Sequence, residues 1–384
     1  MNQKKIYFPT FGSGIGHANR NLLIAKSLNK NYKYFFSSFS DGYEFLTANG
    51  MQCKKIPKID VSWNKDGTVS TIKTVISLPK LISIFLYHLQ YEFKLISKQK
   101  PDLIFSDSRL SPILCSKRLD IPSIVILNQI KLLIRLQNKR RKKLEQINAE
   151  LLGHLWNYAN EILIPDLPPP NTICIENIEG VKSIKNNIEY IGFISREIDY
   201  KKTDRIKKEL KLVENKPTIY IQISGPEQSR PNIYNNILKQ MKSVQNKYNI
   251  IISKGNPNGN TEPKKINEII VFEWCPFKEM FQLSDCMITR GGHSTIGNSI
   301  TCGKPSIIIP IKNQTEQIQN AAKIEKLGLG IKLEEKNIHN SLLNSINKIF
   351  NENKFISNVE KFQNLTREYN GIETCKKKIT KYVN

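Results

Sequence analysis

The sequence predicts an α/β protein of two doubly wound domains facing each other across a cleft. Three observations predict it. Short apolar runs alternate with helical patterns through the first half, the alternation stops at Pro168-Pro169-Pro170, and it restarts near Thr218. Such alternation implies parallel sheets with helices on both faces. A chain of 384 residues is also long for one core. The expected division is a first domain over 1–170, a linker over 171–192, a second domain over 193–365 and a terminal helix over 366–384.

Element by element, Lys5–Pro9 reads as a strand, followed by a glycine-rich turn and a helix from about Ala18 to Asn29. Lys33–Ser37 is the next strand and Gly42–Asn49 the next helix. Asp102–Ser106 and Ser123–Leu127 are strands on either side of a helix at Pro112–Leu119, and Ile162–Ile164 is one more. Past the proline run, strands are expected at Thr218–Ile223, Tyr248–Ser253, Ile269–Phe272, Cys286–Thr289 and Ser306–Ile309. The helices between them are Asn232–Lys247, Ser294–Cys302 and Glu316–Leu327. In doubly wound sheets ligands bind beyond the carboxyl ends of the strands.

Lys and Arg outnumber Asp and Glu by 58 to 34, a net charge of +24. Such a field attracts polyanions: nucleic acid, an anionic membrane or phosphorylated small molecules. Seven widely spaced cysteines form no CxxC pair and no zinc-ligand cluster, which fits free thiols in a reducing compartment. The chain runs straight into a strand at its start, so no signal peptide is expected. No apolar run reaches the ~18–20 residues that cross a bilayer. A cytoplasmic protein is expected, with docking on the inner face of a membrane left open.

Phe11-Gly12-Ser13-Gly14-Ile15-Gly16-His17 lies between the first strand and the first helix. Its glycines allow a sharp turn and a close approach to a ligand, and the helix start behind it favours negative charge. The spacing departs from GxGxxG, and no acidic residue ends the second strand, so a nicotinamide cofactor is not expected. His17 is either a general base for an acceptor hydroxyl or a helix cap. Arg20, one turn on, either meets a phosphate or is a surface arginine.

The densest signal runs from Phe272 to Gly330. Phe272-Glu273-Trp274-Cys275-Pro276 comes first, then Thr289-Arg290-Gly291-Gly292-His293-Ser294-Thr295, Gly303-Lys304-Pro305, and Glu316-Gln317 after Pro310. The middle segment delivers small hydroxyl residues to a helix start, where backbone N–H groups and hydroxyls can meet a diphosphate. Arg290 and His293 add charge there, and Gly291 and Gly292 permit close approach.

This ordered series resembles the donor-binding half of the GT-B glycosyltransferases, whose two lobes are Rossmann-like. It is similar to the signature box of the UDP-sugar transferases and to the transferase that adds N-acetylglucosamine to the lipid-linked peptidoglycan precursor. The first loop, with Ser106-Asp107 and Asn128-Gln129, is similar to an archaeal and bacterial subgroup. The resemblance implies that Glu273–Phe277 holds the nucleobase, with Trp274 as a stacking platform or a core residue. It implies diphosphate contacts from Arg290 and from Gly292 through Thr295, with Ser224 and Gly225 beside the phosphates. Glu316 and Gln317 would meet the donor sugar, and His17 would be the acceptor base, with Arg20, Asp107 and Asn128 on the acceptor side. The family usually has a ribose-binding Glu where this chain has Asn298, which weakens the implication of UDP. No DxD pair occurs, so a metal-independent, inverting displacement with no cofactor beyond the donor is expected.

Between Gly67 and Leu144 fifteen Lys and Arg face four Asp and Glu. Apolar Leu81–Phe85 and Ile130–Leu136 adjoin the run Lys139-Arg140-Arg141-Lys142-Lys143. Apolar residues beside basic ones suit docking on anionic lipid, and with it a lipid-linked acceptor. The other reading is a solvated helix flank. Nucleic acid is a weaker partner, since no aromatics interleave with the basic run. The expected activity is transfer of a hexose or N-acetylhexosamine from a nucleotide-sugar to an acceptor hydroxyl. The alternatives are a sugar-nucleotide hydrolase or epimerase on the same fold, and a basic scaffold that binds membrane or nucleic acid.

Overall fold

Each half of the chain builds one seven-stranded sheet. The computed structural model describes residues 3–28, 31–59, 62, 64, 68, 70, 73, 76–131, 139–184, 188–275 and 278–383, with 139–142 described by backbone alone. The chain divides into two compact units, one of Met1–Ser62, Ser70–Ser195 and Tyr369–Asn384, the other of Trp63–Val69 and Arg196–Glu368.

In the first unit the strands are β1 (Lys4–Pro9), β2 (Tyr32–Ser38), β3 (Cys53–Lys55), β4 (Leu103–Asp107), β5 (Ser123–Ile126), β6 (Glu161–Ile164) and β7 (Ile188–Tyr190). They pair in parallel in the order β3-β2-β1-β4-β5-β6-β7. Helices α1 (Ile15–Ser27) and α2 (Ser40–Ala48) cover one face, over Phe8, Phe36, Phe105 and Leu163. Helices α3 (Leu78–Gln99), α4 (Leu110–Leu119) and α5 (Lys139–Trp156) cover the other, over Tyr7, Phe35, Ile104, Val125 and Ile162. Both faces are buried, which is why these strands read as unbroken apolar runs.

The second sheet holds β8 (Thr218–Gln222), β9 (Asn249–Ser253), β10 (Lys264–Ile266), β11 (Ile269–Phe272), β12 (Cys286–Thr289), β13 (Ser306–Ile308) and β14 (Gly330–Lys332), ordered β10-β11-β9-β8-β12-β13-β14. Only β10 is antiparallel. Its helices are α6 (Tyr200–Glu209), α7 (Arg230–Lys242), α8 (Glu279–Leu283), α9 (His293–Thr301), α10 (Thr315–Lys326), α11 (Ile338–Asn351) and α12 (Asn353–Arg367). Ile219, Ile221, Ile250 and Ile288 pack under α7 and α11, while Tyr220, Ile251, Phe272 and Met287 pack under α6 and α8.

Two boundaries differ from expectation. The stretch 171–192 is no linker, because it ends in β7, the last strand of the first sheet. The buried Asp166 carboxylate accepts bonds from Leu167 N at 2.8 Å and from Ile173 N and Cys174 N at 2.9 Å, so the proline run folds back upon itself. The last helix, α13 (Gly371–Val383), returns to the first unit. Its Cys375, Ile379 and Val383 join the core under α1, and Lys378 bridges Glu161 and Glu189, both at 2.6 Å.

Each sheet reverses its winding once, between β1 and β4 in the first and between β8 and β12 in the second. These switch points are where an open sheet leaves room for a ligand beyond its strand ends.

Candidate active site

At the first switch point four side chains named from the sequence come together. His17, in the opening turn of α1, places Nδ1 2.7 Å from Oδ1 of Asp107, the last residue of β4. Arg20 lies one turn on along the same helix face. Its Nη2 donates to Asp107 Oδ1 at 2.6 Å and its Nε donates to Oδ2. The same Nη2 reaches Asn128 Oδ1 at 3.3 Å. Asp107 is fully buried and Arg20 nearly so, while His17 keeps 21% of its side chain exposed. Arg20 is therefore no surface arginine; its guanidinium faces Asp107, Asn128 and His17.

The glycine loop makes this fit possible. A Cβ at Gly12 would lie 2.0 Å from the carbonyl oxygen of Phe39, and Gly14, which precedes α1, has φ 79°. Phe11 N donates to Asp107 O at 3.1 Å, tying the loop to the end of β4. Phe11 also stacks edge-on against His17, with ring centroids 5.4 Å apart.

The charge on Asp107 favours one tautomer of His17. Burial pushes the Asp107 carboxyl up, but Arg20 and then His17 more than offset it and hold it at about 2. An ionised carboxylate only accepts, so Asp107 Oδ1 favours the tautomer with hydrogen on His17 Nδ1 and the lone pair on Nε2, while Arg20 Nη2 also lies 3.0 Å from Nδ1. A neutral histidine held in that tautomer has the chemistry to take a proton.

At the second switch point α9 begins with His293, with Ser294 and Thr295 half-exposed in its first turn and Asn298 half-buried one turn on. Gly291, at φ 88°, leads into it, and a Cβ there would meet Ile308 Cγ2 at 2.7 Å. Helix α10 braces this loop, since Asn320 Nδ2 donates to Gly291 O at 3.1 Å. Gln317 is buried and its Oε1 accepts from Ile311 N at 2.9 Å, which ties it to the neighbouring loop. Glu316 beside it is half-buried. A Cβ at Gly225 would lie 2.6 Å from Ile311 Cδ1, which brings the Ser224-Gly225 turn against the same loop.

Glu273 pairs with Lys254 at 2.7 Å, and the Lys254 ammonium lies 4.7 Å from the Tyr234 ring centroid. Trp274 is half-buried and its N donates to Asn260 O at 3.2 Å. Phe277 lies outside the described residues.

Arg290 departs most from expectation. It is among the largest fully buried side chains, and Nη2 donates to Glu335 Oε2 at 2.9 Å. Its Nε and Nη1 have no protein partner among the described residues. Burial lowers its pKa more than Glu335 restores it. A buried guanidinium with unpaired donors is a site that an anion would complete.

The fold agrees with what the chain is similar to. The sequence profile of the glycosyltransferase family 28 C-terminal domain matches residues 220–375. A glycosyltransferase of Methanosarcina acetivorans is 24% identical over 400 residues, covering 99% of this chain and 98% of that one. The UDP-N-acetylglucosamine–N-acetylmuramyl-(pentapeptide) pyrophosphoryl-undecaprenol N-acetylglucosamine transferase of Clostridium perfringens is 26% identical over 360 residues, 89% of each chain. Among solved structures, the spinosyn rhamnosyltransferase SpnG, complexed with thymidine diphosphate, superposes with a TM-score of 0.69 at 11% identity, covering 98% of this chain and 100% of that one. The fold is thus GT-B. The chain is a glycosyltransferase of that type, and residues 220–375 are similar to the family 28 C-terminal domain.

Proposed function

We propose that the protein transfers a hexose or N-acetylhexosamine from a UDP-sugar to a hydroxyl of a lipid-linked acceptor, by metal-independent inverting displacement at an anionic membrane surface. The His17–Asp107 pair carries this reading. His17 Nε2 takes the acceptor hydroxyl proton while the oxygen attacks the anomeric carbon. The bond from that carbon to the diphosphate oxygen breaks, and its electron pair leaves with the nucleotide. Arg290 and the amino end of α9, with Ser294 and Thr295, receive that charge. The Clostridium relative's name supports the donor and acceptor classes, since it specifies a UDP-sugar and a pyrophosphoryl-undecaprenol substrate.

Thermal stabilisation by UDP, GDP, dTDP, CMP and their sugar conjugates tests the donor. A nucleotide at 100 times its Kd stabilises the native state by roughly 2.7 kcal/mol, which a melt resolves. Hydrogen bonds to charged groups contribute about 1.5–3 kcal/mol, so Ser294→Ala with Thr295→Ala is expected to weaken UDP binding at least tenfold. Stabilisation by another nucleotide alone would replace UDP in the proposal. Product analysis then separates transfer, which needs an acceptor, from hydrolysis, which releases free sugar without one.

The membrane reading rests on α3. Its Leu78, Ile82, Leu86 and Phe93 are exposed at spacings that share one helix face, with Ile82 58% exposed. The exposed charges on this helix, Lys80, Lys94 and Lys98, are all positive, and its one acidic residue, Glu92, is buried. Leu144, Ile147 and Leu151 are likewise exposed on α5. Leu81, Ile84 and Phe85 from the expected apolar stretch are half-buried instead. Residues 132–138 and the side chains of 139–142 lie outside the described set. Among the described residues no helix is long and apolar enough to cross a membrane.

An exposed apolar stripe on a helix whose exposed charges are all lysine fits an interfacial helix on anionic lipid. Burying one such side chain stabilises by about 1.5–3 kcal/mol. Ile82→Asp with Leu86→Asp is therefore expected to reduce co-sedimentation with phosphatidylglycerol vesicles at least tenfold, with nucleotide binding retained. Sedimentation equal to wild type would remove the membrane from the proposal.

A further inference from the structure

Behind the first switch point, on the opposite face of the sheet from His17, lies a closed ring of four buried polar side chains. Arg109 Nη2 pairs with Glu92 Oε1, and Arg109 Nη1 donates to Ser37 Oγ at 2.5 Å. Tyr7 Oη donates to Glu92 Oε2 at 2.6 Å and lies 2.5 Å from Ser37 Oγ. Tyr7, Ser37 and Glu92 are fully buried and Arg109 is 4% exposed. The four come from β1, β2, α3 and the turn between β4 and α4, so the ring joins four separate elements at one point.

That turn is two residues long, Ser108 and Arg109, and it follows directly on Asp107, the last residue of β4. Ser108 holds φ 55°, a left-handed conformation that a residue other than glycine adopts only under constraint. Ser106 Oγ donates to Arg109 O at 2.7 Å, and Ser108 N donates to Ile126 O at 3.1 Å. The end of β4 and the turn therefore send one side chain to each face of the sheet. Asp107 goes to His17 on the α1 side, and Arg109 goes into the ring on the α3 side.

A buried ion pair is weak evidence for stability, because replacing both members with apolar groups of similar volume is often neutral or stabilising. Its geometric effect is stronger: a charged fork bonded to two partners fixes where its backbone lies. We infer that Arg109 and Glu92 are positioning residues, which hold the β4–α4 turn so that Asp107 meets His17 Nδ1. The inference rests on the proposed role of His17 as base. Burial works against the Arg109 charge, but Glu92 more than restores it, so Arg109 keeps its charge in the folded protein.

The decisive variant is Glu92→Leu with Arg109→Met, which removes both charges together and leaves the Tyr7 and Ser37 hydroxyls to each other. Either single change leaves a buried charge unpaired and risks unfolding, whereas the pair keeps the volume. Two readouts follow in the full-length protein. The first is the imidazole nitrogen NMR spectrum, with His17 assigned by comparison with His17→Ala among the five histidines. The second is transfer kinetics with the nucleotide-sugar found in the melting panel.

In the folded double variant His17 is expected to lose its fixed Nδ1–H tautomer. The kcat is expected to fall at least tenfold, with the donor KM changed by less than twofold. A folded double variant whose His17 keeps the wild-type tautomer overturns the inference, since a clamp of purely structural value leaves that spectrum untouched. Full turnover by His17→Ala would instead overturn the base assignment, and the tautomer would still report on the clamp.

Discussion

His17→Ala is expected to lower kcat by roughly 10²–10⁴-fold, the usual contribution of a positioned general base, with little effect on donor affinity. Asp107→Asn is expected to approach the same loss without removing the base. Asp107 accepts from Arg20 through both carboxylate oxygens and from His17 through one of them. An asparagine amide has only one oxygen, so its NH₂ group must face either the guanidinium or the imidazole Nδ1–H. Facing the imidazole, it favours the tautomer with hydrogen on Nε2 and a lone pair on Nδ1, which cannot accept the acceptor proton.

The pH dependence has a definite sign. Asp107 is held below its ordinary value of 3.8, at about 2, so its ion pairs stabilise the fold fully above the unfolded value. That stability is lost only as pH falls through the folded value. Between pH 5 and 9 Asp107 keeps its charge, and any acid limb of kcat in that window comes from another group. Matched kcat profiles and melts of wild type, His17→Ala and Asp107→Asn check this. Wild-type turnover by a folded His17→Ala would remove the base from the mechanism.

The parts of the two candidate sites that are legible in the sequence share one property: they are local. The glycine loop before His17 and the hydroxyls after Gly292 each follow a strand and open a helix, so order along the chain places them. The His17–Asp107 bond spans ninety positions. Asp107 could be put near the acceptor only through a resemblance, and its bond to His17 could not be read from spacing. Arg20 shows the limit most clearly. One arginine a turn past a glycine loop looks the same in sequence whether it meets a phosphate or supports a buried carboxylate, and only the fold tells them apart.

The ring of Tyr7, Ser37, Glu92 and Arg109 left no local signal, because its members lie on four elements in unremarkable settings. Boundaries failed for a related reason. The edge strands β3, β7, β10 and β14 are three residues each, too short to show a period. The proline run looked like a domain break because the bonds that fold it back come from one carboxylate, Asp166.

Arg290 separates support of the fold from donor recognition, and two substitutions tell the roles apart. Arg290→Ala deletes one of the largest fully buried side chains. A large-to-small change at such a site costs roughly 3–5 kcal/mol, and at about 2–4 °C per kcal/mol for a unit of this size the melting temperature should fall by about 6–20 °C. Lost nucleotide binding in that variant would therefore report unfolding as readily as a missing contact.

Arg290→Met keeps most of the volume. It removes two buried donors that lack a protein partner among the described residues, and Glu335, which is 33% exposed, can be solvated once its partner is gone. The melting temperature of the methionine variant should stay within a few degrees of wild type. If Arg290 meets the diphosphate as proposed, the same variant should bind UDP at least tenfold more weakly, as expected for a charge-assisted hydrogen bond worth about 1.5–3 kcal/mol. A methionine variant that melts normally and keeps the full UDP shift would make Arg290 a core residue with a single partner, Glu335. The diphosphate contacts would then rest on Ser294, Thr295 and the first turn of α9, whose substitutions leave the core intact.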